Sequence, residues 1–239
     1  LAYYPNVLDE DKECRKKSID HLMKVIQASA LLKINLVTTF IGRNKNLNIT
    51  DNLELAGNVW KPILEYAESL NVKIAIENCP MLFTEDEWPG GKNIAVSPAI
   101  WRELFKRLPS EYLGLNFDPS HFIWQEMDYI RPLYEFKDKI FHVHYKDIRV
   151  DKEARDEVGV LATPLSYMVP CIPGHGDVNW ARYISALLEI GYQGAACIEV
   201  EDKSFEDNNE NIENSLKISR QYLKQFIHFP EKGRQYAKD

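Results

Sequence analysis

The stretch VKIAIENCP, residues 72–80, is a short apolar run that ends in a carboxylate, an amide and a proline-containing turn. Similar runs recur along the chain. They are Leu36–Phe40, Val72–Ile76, Leu113–Phe117, Ile140–Val143 and Ala195–Val200. Amphipathic stretches of helical length lie between and beside them, at about 10–32, 52–70, 97–108, 128–136, 180–190 and 208–227. This alternation predicts βα units arranged around a parallel sheet.

Two segments interrupt the alternation, residues 78–96 and 145–179. The second contains three prolines and is expected to hold one short strand near residues 167–172. Both segments follow the carboxyl end of a predicted strand, where the loops of a parallel β/α barrel build the active site. Loops of this length at that position indicate an enzyme rather than a linker.

Length and composition predict one globular domain over residues 1–239, because 45% of the residues are apolar and 27% are charged. The four cysteines are scattered, without the paired spacing of a zinc ribbon or the density of a disulfide scaffold, which indicates a reducing compartment. A net charge of −7 argues against a nucleic-acid partner. The sequence shows no membrane-length apolar run and no signal-peptide pattern, so we expect a cytoplasmic protein without a membrane partner.

The first residues, Leu1–Tyr4, look like the end of a strand that has no strand or helix before it. With this segment included, the predicted strands number about seven, one fewer than the eight that close a TIM barrel. The expected fold class is therefore an α/β, TIM (β/α)8-type barrel that lacks the first βα unit in this sequence. The alternative is that a neighbouring chain covers the gap, which makes a homo-oligomer a further expectation.

Polar side chains recur at the carboxyl ends of the apolar runs. They are Glu77, Asn78, Asp118, His142, His144, Glu199, Glu201 and Asp202. Lone buried carboxylates are costly, so several that converge on one barrel mouth require a cation between them. Three carboxylates and one imidazole suit Mn²⁺ first, and also Mg²⁺, Co²⁺ or Zn²⁺. If either His142 or His144 points into the mouth, the other points away or lies deeper.

Five sequence segments occur in an order that is specific as a set. They are IENCP (76–80), FDPSH (117–121), HVHYKD (142–147), PGHGDVNW (173–180) and IEVED (198–202). Together they resemble the xylose isomerase-like TIM-barrel superfamily of sugar phosphate isomerases and epimerases, from Leu1 to about Phe226. The resemblance implies that one divalent metal ion is held by Glu77, Asp118, His144 and Glu199.

The same resemblance implies which residues face the substrate. His121 and either Lys146 or Asp147 are expected to do so, and the loop from Gly174 to Trp180, which includes His175, is expected to border the sugar. Arg43 follows a predicted strand, where its planar guanidinium would suit a substrate phosphate or carboxylate.

The expected activity is isomerisation or epimerisation of a small sugar or sugar phosphate through a metal-stabilised enediolate. Glu77 or Glu199 would remove a proton, and the other would return it. Elimination from the same enediolate would instead make the protein a lyase or dehydratase acting on a keto-sugar or keto-inositol. An abasic-site endonuclease fits less well, since the strand ends at 3–6 and 40–43 carry no histidine. The last alternative is a sugar-binding or metal-binding subunit without catalysis.

Overall fold

Strands and helices alternate in a computed structural model that describes residues 1–82 and 84–227. The strands are β1 (Leu36–Thr39), β2 (Lys73–Glu77), β3 (Leu113–Phe117), β4 (Ile140–Tyr145), β5 (Asp147–Val150), β6 (Met168–Cys171) and β7 (Ala195–Ile198). The α-helices are α1 (Lys12–Leu31), α2 (Ile49–Ser69), α3 (Pro98–Arg107), α4 (Ser120–Ile123), α5 (Arg131–Glu135), α6 (Lys152–Val158), α7 (Trp180–Glu189) and α8 (Asn209–Leu223). Among the described residues, no helix combines the length and apolarity needed to span a membrane.

Five strands form one parallel sheet in the order β1-β2-β3-β4-β7. The first residues of the chain run beside β1, where Ala2 forms a parallel bridge with Thr38 and the Thr38 amide donates to the Leu1 carbonyl at 2.8 Å. Together with the helices, the sheet has the form of a parallel half-barrel. Because the strands are parallel, their carboxyl ends meet at one edge, which is where a barrel of this type carries its functional residues.

Aromatic side chains fix the helices against the sheet. Phe117 of β3 packs against Trp101 of α3, Phe122 of α4 and Tyr183 of α7, with ring centroids 5.2 to 6.1 Å apart. All four side chains are essentially buried, and burial of such large rings is a major source of core stability. Since successive strand residues face opposite sides, Asp118 points away from this aromatic layer.

Most helix boundaries lie within three residues of the predicted ones, and the differences have local causes. Helix α2 begins at Ile49 rather than at 52, because the Asn48 side chain accepts the Asp51 amide at 2.9 Å and caps the helix earlier. Helix α5 begins at Arg131 rather than at 128, because the Asp128 side chain accepts the Ile130 amide in a turn. Helices α4 and α6 are short and were not predicted.

The strand expected near 167–172 is present as β6, but it does not join the parallel sheet. It pairs antiparallel with β5, a strand that was not predicted. Because β6 is absent from the parallel sheet, β4 pairs directly with β7. Of the about seven strands expected for the barrel, five therefore form the described parallel sheet. The β5–β6 ribbon buries Ile148, Val150 and Tyr167 against Trp124, and it stands at the edge where the parallel strands end.

Candidate metal centre

Four polar side chains converge at the carboxyl edge of the sheet. Glu77 is the last residue of β2, Asp118 follows β3, His144 belongs to β4 and Glu199 follows β7. Each contributes one ligand atom to a group in which all four atoms lie within 4.8 Å of one another. Residues 26 to 122 positions apart in sequence are brought together only because their strands are parallel and adjacent.

The distances between the side-chain nitrogen and oxygen atoms of these four residues place them around a common point. His144 Nδ1 lies 3.0 Å from Glu199 Oε2 and 3.7 Å from Glu77 Oε1. Asp118 Oδ2 lies 3.3 Å from Nε2 of His121, the first ring beyond the group. Asp118 is fully buried, and Glu77 and His144 are 4% and 7% exposed.

Several inward-facing atoms of this group lack a hydrogen-bond partner among the described residues. They are Asp118 Oδ2, His144 Nδ1 and Glu199 Oε2, together with Nε2 of the neighbouring His121. These atoms face one another, since His144 Nδ1 lies 3.0 Å from Glu199 Oε2 and His121 Nε2 lies 3.3 Å from Asp118 Oδ2, but none of them makes a well-directed hydrogen bond. Three carboxylates and an imidazole that share this arrangement fit a divalent cation, which would satisfy these atoms at once.

Without a cation, His144 and Glu199 form an ion pair. Burial opposes the charge on His144, but the Glu199 and Glu77 carboxylates outweigh it and raise its pKa to about 11. Burial likewise opposes the charge on Glu199, but His144 and Lys146 lower its pKa to about 2. Burial raises the pKa of Asp118 to about 6. A proton on His144 therefore holds the position that a cation would take.

Asn116, which sequence reasoning missed, orients two of the four residues. Its side chain is fully buried, and Nδ2 donates to Glu77 Oε2 at 3.2 Å and lies 3.1 Å from His144 Nε2. Its Oδ1 lies 2.8 Å from His142 Nδ1. The available signal was its position two residues before Asp118, which places both side chains on the same face of β3.

His142 lies deeper than His144 on the same face of β4. Of the two expected alternatives, pointing away from the mouth or lying deeper, the structure shows the second. Burial and the neighbouring His144 lower its pKa to about 4, so its ring is neutral. The neutral His142 ring contacts Asn116 and so supports the four-residue cluster from beneath, without contributing a ligand atom to it.

Two further asparagines fix the strand ends. The Asn78 side chain donates to the Asp118 carbonyl at 2.9 Å and accepts the Asp118 amide at 2.8 Å. Asn93, from the long segment after β2, donates to the carbonyls of Glu77 and Cys79 at 2.9 and 2.7 Å. Sequence reasoning named Asn78 only as a polar strand-end residue and did not name Asn93, because each acts through backbone atoms that are distant in sequence.

A cavity of about 290 Å³ opens beside the cluster, and Glu77, Glu199, His121 and Lys146 are among the residues that line it. Burial and the nearby Lys146 lower the pKa of His121 to about 4, so this ring is neutral. Burial opposes the charge on Lys146, but Glu199, Asp118 and Glu201 raise its pKa well above the ordinary value. Lys146 forms an ion pair with Glu201. The cavity therefore presents one neutral and one charged proton donor or acceptor.

The remaining walls of the cavity are largely apolar. They include Phe40, Leu82, Trp124, Leu165, Met168 and Pro170. Loops after β2 and the β5–β6 ribbon supply most of them, so the two long segments that interrupted the sequence pattern do build this site.

Trp180 and Asp147 do not face the cavity, which corrects the expectation for Trp180 and leaves Lys146 as the member of the pair Lys146 or Asp147 that lines it. The Trp180 ring is 1% exposed and packs against Tyr145, and its indole N–H donates to Asp147 Oδ2 at 2.8 Å. Asp147 also accepts the amides of Gly174 and Val178 at 2.9 and 3.0 Å. These two side chains anchor the loop from 174 to 180 instead of binding substrate.

His175 and Arg43 also lie outside the cavity. His175 is exposed, and its ring centroid lies 6.1 Å from that of Phe205. The guanidinium of Arg43 lies against Gly90, where an added Cβ would meet Nη1 at 1.3 Å, and it lines a separate cleft with Trp88. The substrate roles expected for His175 and Arg43 are therefore not supported by their positions.

The parallel sheet, its surrounding helices and the acidic cluster at its carboxyl edge define an α/β protein of the TIM-barrel class. The chain belongs to the xylose isomerase-like TIM barrel family, whose family model matches residues 1–224. The resemblance and the fold class expected from the sequence are thus confirmed.

Curated relatives are matched over part of their length. The protein YfiH of Bacillus subtilis (strain 168) is 30% identical over 180 residues, which is 70% of this chain and 51% of YfiH. An inosose dehydratase of Lactiplantibacillus plantarum is 27% identical over 117 residues, which is 48% of this chain and 38% of the dehydratase. The chain therefore spans about half the length of YfiH, and less of the dehydratase.

A solved structure shares the fold. IolI with a bound zinc atom superposes with a TM-score of 0.71 at 18% identity, covering 96% of this chain and 78% of IolI. At this level of identity the similarity shows the fold alone.

Proposed function

We propose that the protein is a metal-dependent isomerase or epimerase of a sugar. One observation carries the proposal: the ligand atoms of three carboxylates and an imidazole converge within 4.8 Å of one another, beside a cavity that Glu77 and Glu199 line. Enzymes among its relatives include an inosose dehydratase, and a D-tagatose 3-epimerase-like protein has the same fold with a TM-score of 0.67.

Glu77, Asp118, His144 and Glu199 would hold one divalent cation, of which Mn²⁺ is our first candidate. Such a cation polarises a substrate carbonyl and lowers the pKa of the neighbouring C–H group. Glu77 and Glu199 would also position the substrate, because both line the cavity.

Glu77 and Glu199 are the proposed proton carriers. They come from strands separated by β3 and β4, and both lie within 4 Å of His144 Nδ1, so they flank the centre from two sides. Glu77 is held by Asn116. Glu199 is the more exposed of the two, since 37% of its side chain is accessible, and its lowered pKa keeps it ionised. One would remove the proton next to the carbonyl, and the other would return it.

Lys146 and His121 are placed to act on substrate oxygens. Lys146 is charged and buried at the cavity wall, where it can donate a hydrogen bond to a carbonyl or hydroxyl oxygen. His121 is neutral and can accept a hydroxyl proton. The proposed partner is therefore a small polyhydroxylated ketone or aldehyde.

The test compares Glu199→Gln with the wild type and with Glu54→Gln, an exposed position on α2. Proteins loaded with Mn²⁺ are incubated with keto- and aldo-sugars in D₂O, and deuterium at carbon is followed by NMR. Loss of the base should lower the exchange rate by about 10² to 10⁴-fold in Glu199→Gln, with Glu54→Gln unaffected. Full exchange activity in Glu199→Gln would refute the assignment.

Dehydration is the second candidate function, and a specific feature favours it. Charged Lys146, paired with Glu201, could protonate a leaving hydroxyl after the same proton removal. A sequence relative is an inosose dehydratase. Mass spectrometry of the products separates the two functions, because dehydration yields a product lighter by one water molecule and isomerisation leaves the mass unchanged.

A further inference from the structure

We propose that a cleft beside Arg43 is a second binding site, which takes a sugar acid. The cleft has a volume of about 540 Å³, and Arg43, Asp86 and Trp88 are among the residues that line it. No described residue lines both this cleft and the cavity beside the metal centre. The site is therefore separate from the proposed active site, and it goes beyond the proposed function.

The guanidinium of Arg43 has no partner for its charge. Its Nε is buried without a hydrogen bond, and no carboxylate among the described residues lies within 4.0 Å of it to form an ion pair. The two lysines that line the cleft differ, since Lys45 Nζ lies 2.7 Å from Glu10 Oε1 and Lys92 Nζ lies 2.6 Å from Glu87 Oε1. A planar guanidinium left unpaired in this way suits the carboxylate of a ligand, which it can bind through two N–H groups.

Arg43 is held in place at both its backbone and its side chain. The Asn6 side chain donates to the Arg43 carbonyl at 2.6 Å and accepts the Arg43 amide at 2.9 Å. The guanidinium lies so close to the Gly90 backbone that any side chain at Gly90 would displace it. Because the arginine is already ordered, a ligand that binds it loses less free energy to the ordering of a long side chain.

Trp88 supplies a fixed aromatic surface in the same cleft. Its indole N–H donates to the Leu161 carbonyl at 3.1 Å, and its side chain packs against the cluster that contains Trp124 and Tyr167. The C–H face of a sugar ring is apolar and packs well against such a ring. The aromatic surface therefore indicates that the carboxylate is attached to a ring rather than to a short chain.

The remaining polar groups of the cleft select among possible anions. Asp9, Asn46 and Asp86 also line it, and their side-chain oxygens can accept hydrogen bonds from hydroxyl groups. The two aspartates disfavour a dianion such as a phosphate ester, because like charges repel. A ring that carries hydroxyl groups and one carboxylate, as in a uronic acid, matches the arginine, the indole and the acceptors together.

The experiment is calorimetric titration with D-galacturonate, without added metal. We expect the wild type to bind it, and to bind D-galactose, which lacks the carboxylate, about 10- to 100-fold more weakly. Arg43→Ala should weaken galacturonate binding by a similar factor, and Arg182→Ala, an exposed arginine on α7, should match the wild type. Urea unfolding checks that each variant is folded.

A second variant tests the contact with the indole. Galacturonate should change the tryptophan fluorescence of the wild type, and this change should be lost in Trp88→Phe. Three results would overturn the site: no galacturonate binding in the millimolar range, undiminished affinity in Arg43→Ala, or a fluorescence change that persists in Trp88→Phe. These are measurements of binding rather than of deuterium exchange, so the site and the proposed function can fail independently.

Discussion

Replacing Asn116 by alanine should weaken metal binding more than it weakens the fold. Asn116 is the buried side chain that contacts both Glu77 and His144 from beneath, and it also bonds His142. Alanine removes these contacts while leaving every proposed ligand in the sequence. The perturbation therefore isolates the contribution of ligand orientation.

The expected magnitudes follow from these contacts. Loss of a residue that orients metal ligands typically weakens metal affinity about 10- to 100-fold, which corresponds to about 1.4–2.7 kcal/mol. The unfolding free energy of the metal-free protein should fall by about 1–3 kcal/mol, because Glu77 Oε2 and His142 Nδ1 lose partners in a buried place. No ligand is removed, so binding should be weakened rather than abolished.

Asn52→Ala is the matched control. Asn52 is also fully buried, and its side chain accepts one backbone amide and donates to three backbone carbonyls, at the start of α2 and away from the site. Its loss should lower stability by a similar amount and leave metal affinity unchanged. Calorimetric titration with Mn²⁺ and urea unfolding of the metal-free proteins measure both quantities. Equal Mn²⁺ affinity in the two variants would refute the role given to Asn116.

Two further predictions concern protons and the loop anchor. Because the pKa of His144 is about 11 without a cation, metal binding near neutral pH must displace its proton, so Mn²⁺ affinity should rise about tenfold per pH unit above pH 7. Below about pH 6 the dependence of Mn²⁺ affinity on pH should steepen, because Asp118 also binds a proton there. An Mn²⁺ affinity that does not change with pH across this range would contradict the His144–Glu199 ion pair. Asp147→Ala should cost at least about 3 kcal/mol in urea unfolding, since it leaves several buried donors without an acceptor, including the Trp180 indole. Its Mn²⁺ affinity should match the wild type, and a large loss would place Asp147 in the metal centre after all.

The cellular setting of the protein stays a prediction from the sequence. A cytoplasmic location without nucleic-acid or membrane partners was inferred from composition and pattern, a sugar substrate from the family resemblance, and a homo-oligomer from the number of predicted strands. Size-exclusion chromatography with light scattering addresses the oligomeric state directly.

The sequence by itself put the four proposed ligands among the polar residues at strand ends, and the family resemblance selected these four from that set. Short apolar runs that end in Glu77, Asp118, His144 or Glu199 carry a local signal, and the rule that parallel strands end at one edge converts it into proximity. No long-range information was needed, because topology brings every such strand end to the same place.

Only the tertiary structure decided which other polar and aromatic residues join the site. Trp180 and Asp147 satisfy each other in the core, and Arg43 is turned aside where Gly90 leaves room for its guanidinium. Asn116 joins the site through contacts that include Tyr4, 112 residues away. Local periodicity shows which side of a strand a residue occupies. The partner that the residue meets there depends on packing between segments distant in sequence. This packing therefore decides whether a polar group faces the cavity or forms its hydrogen bonds within the core.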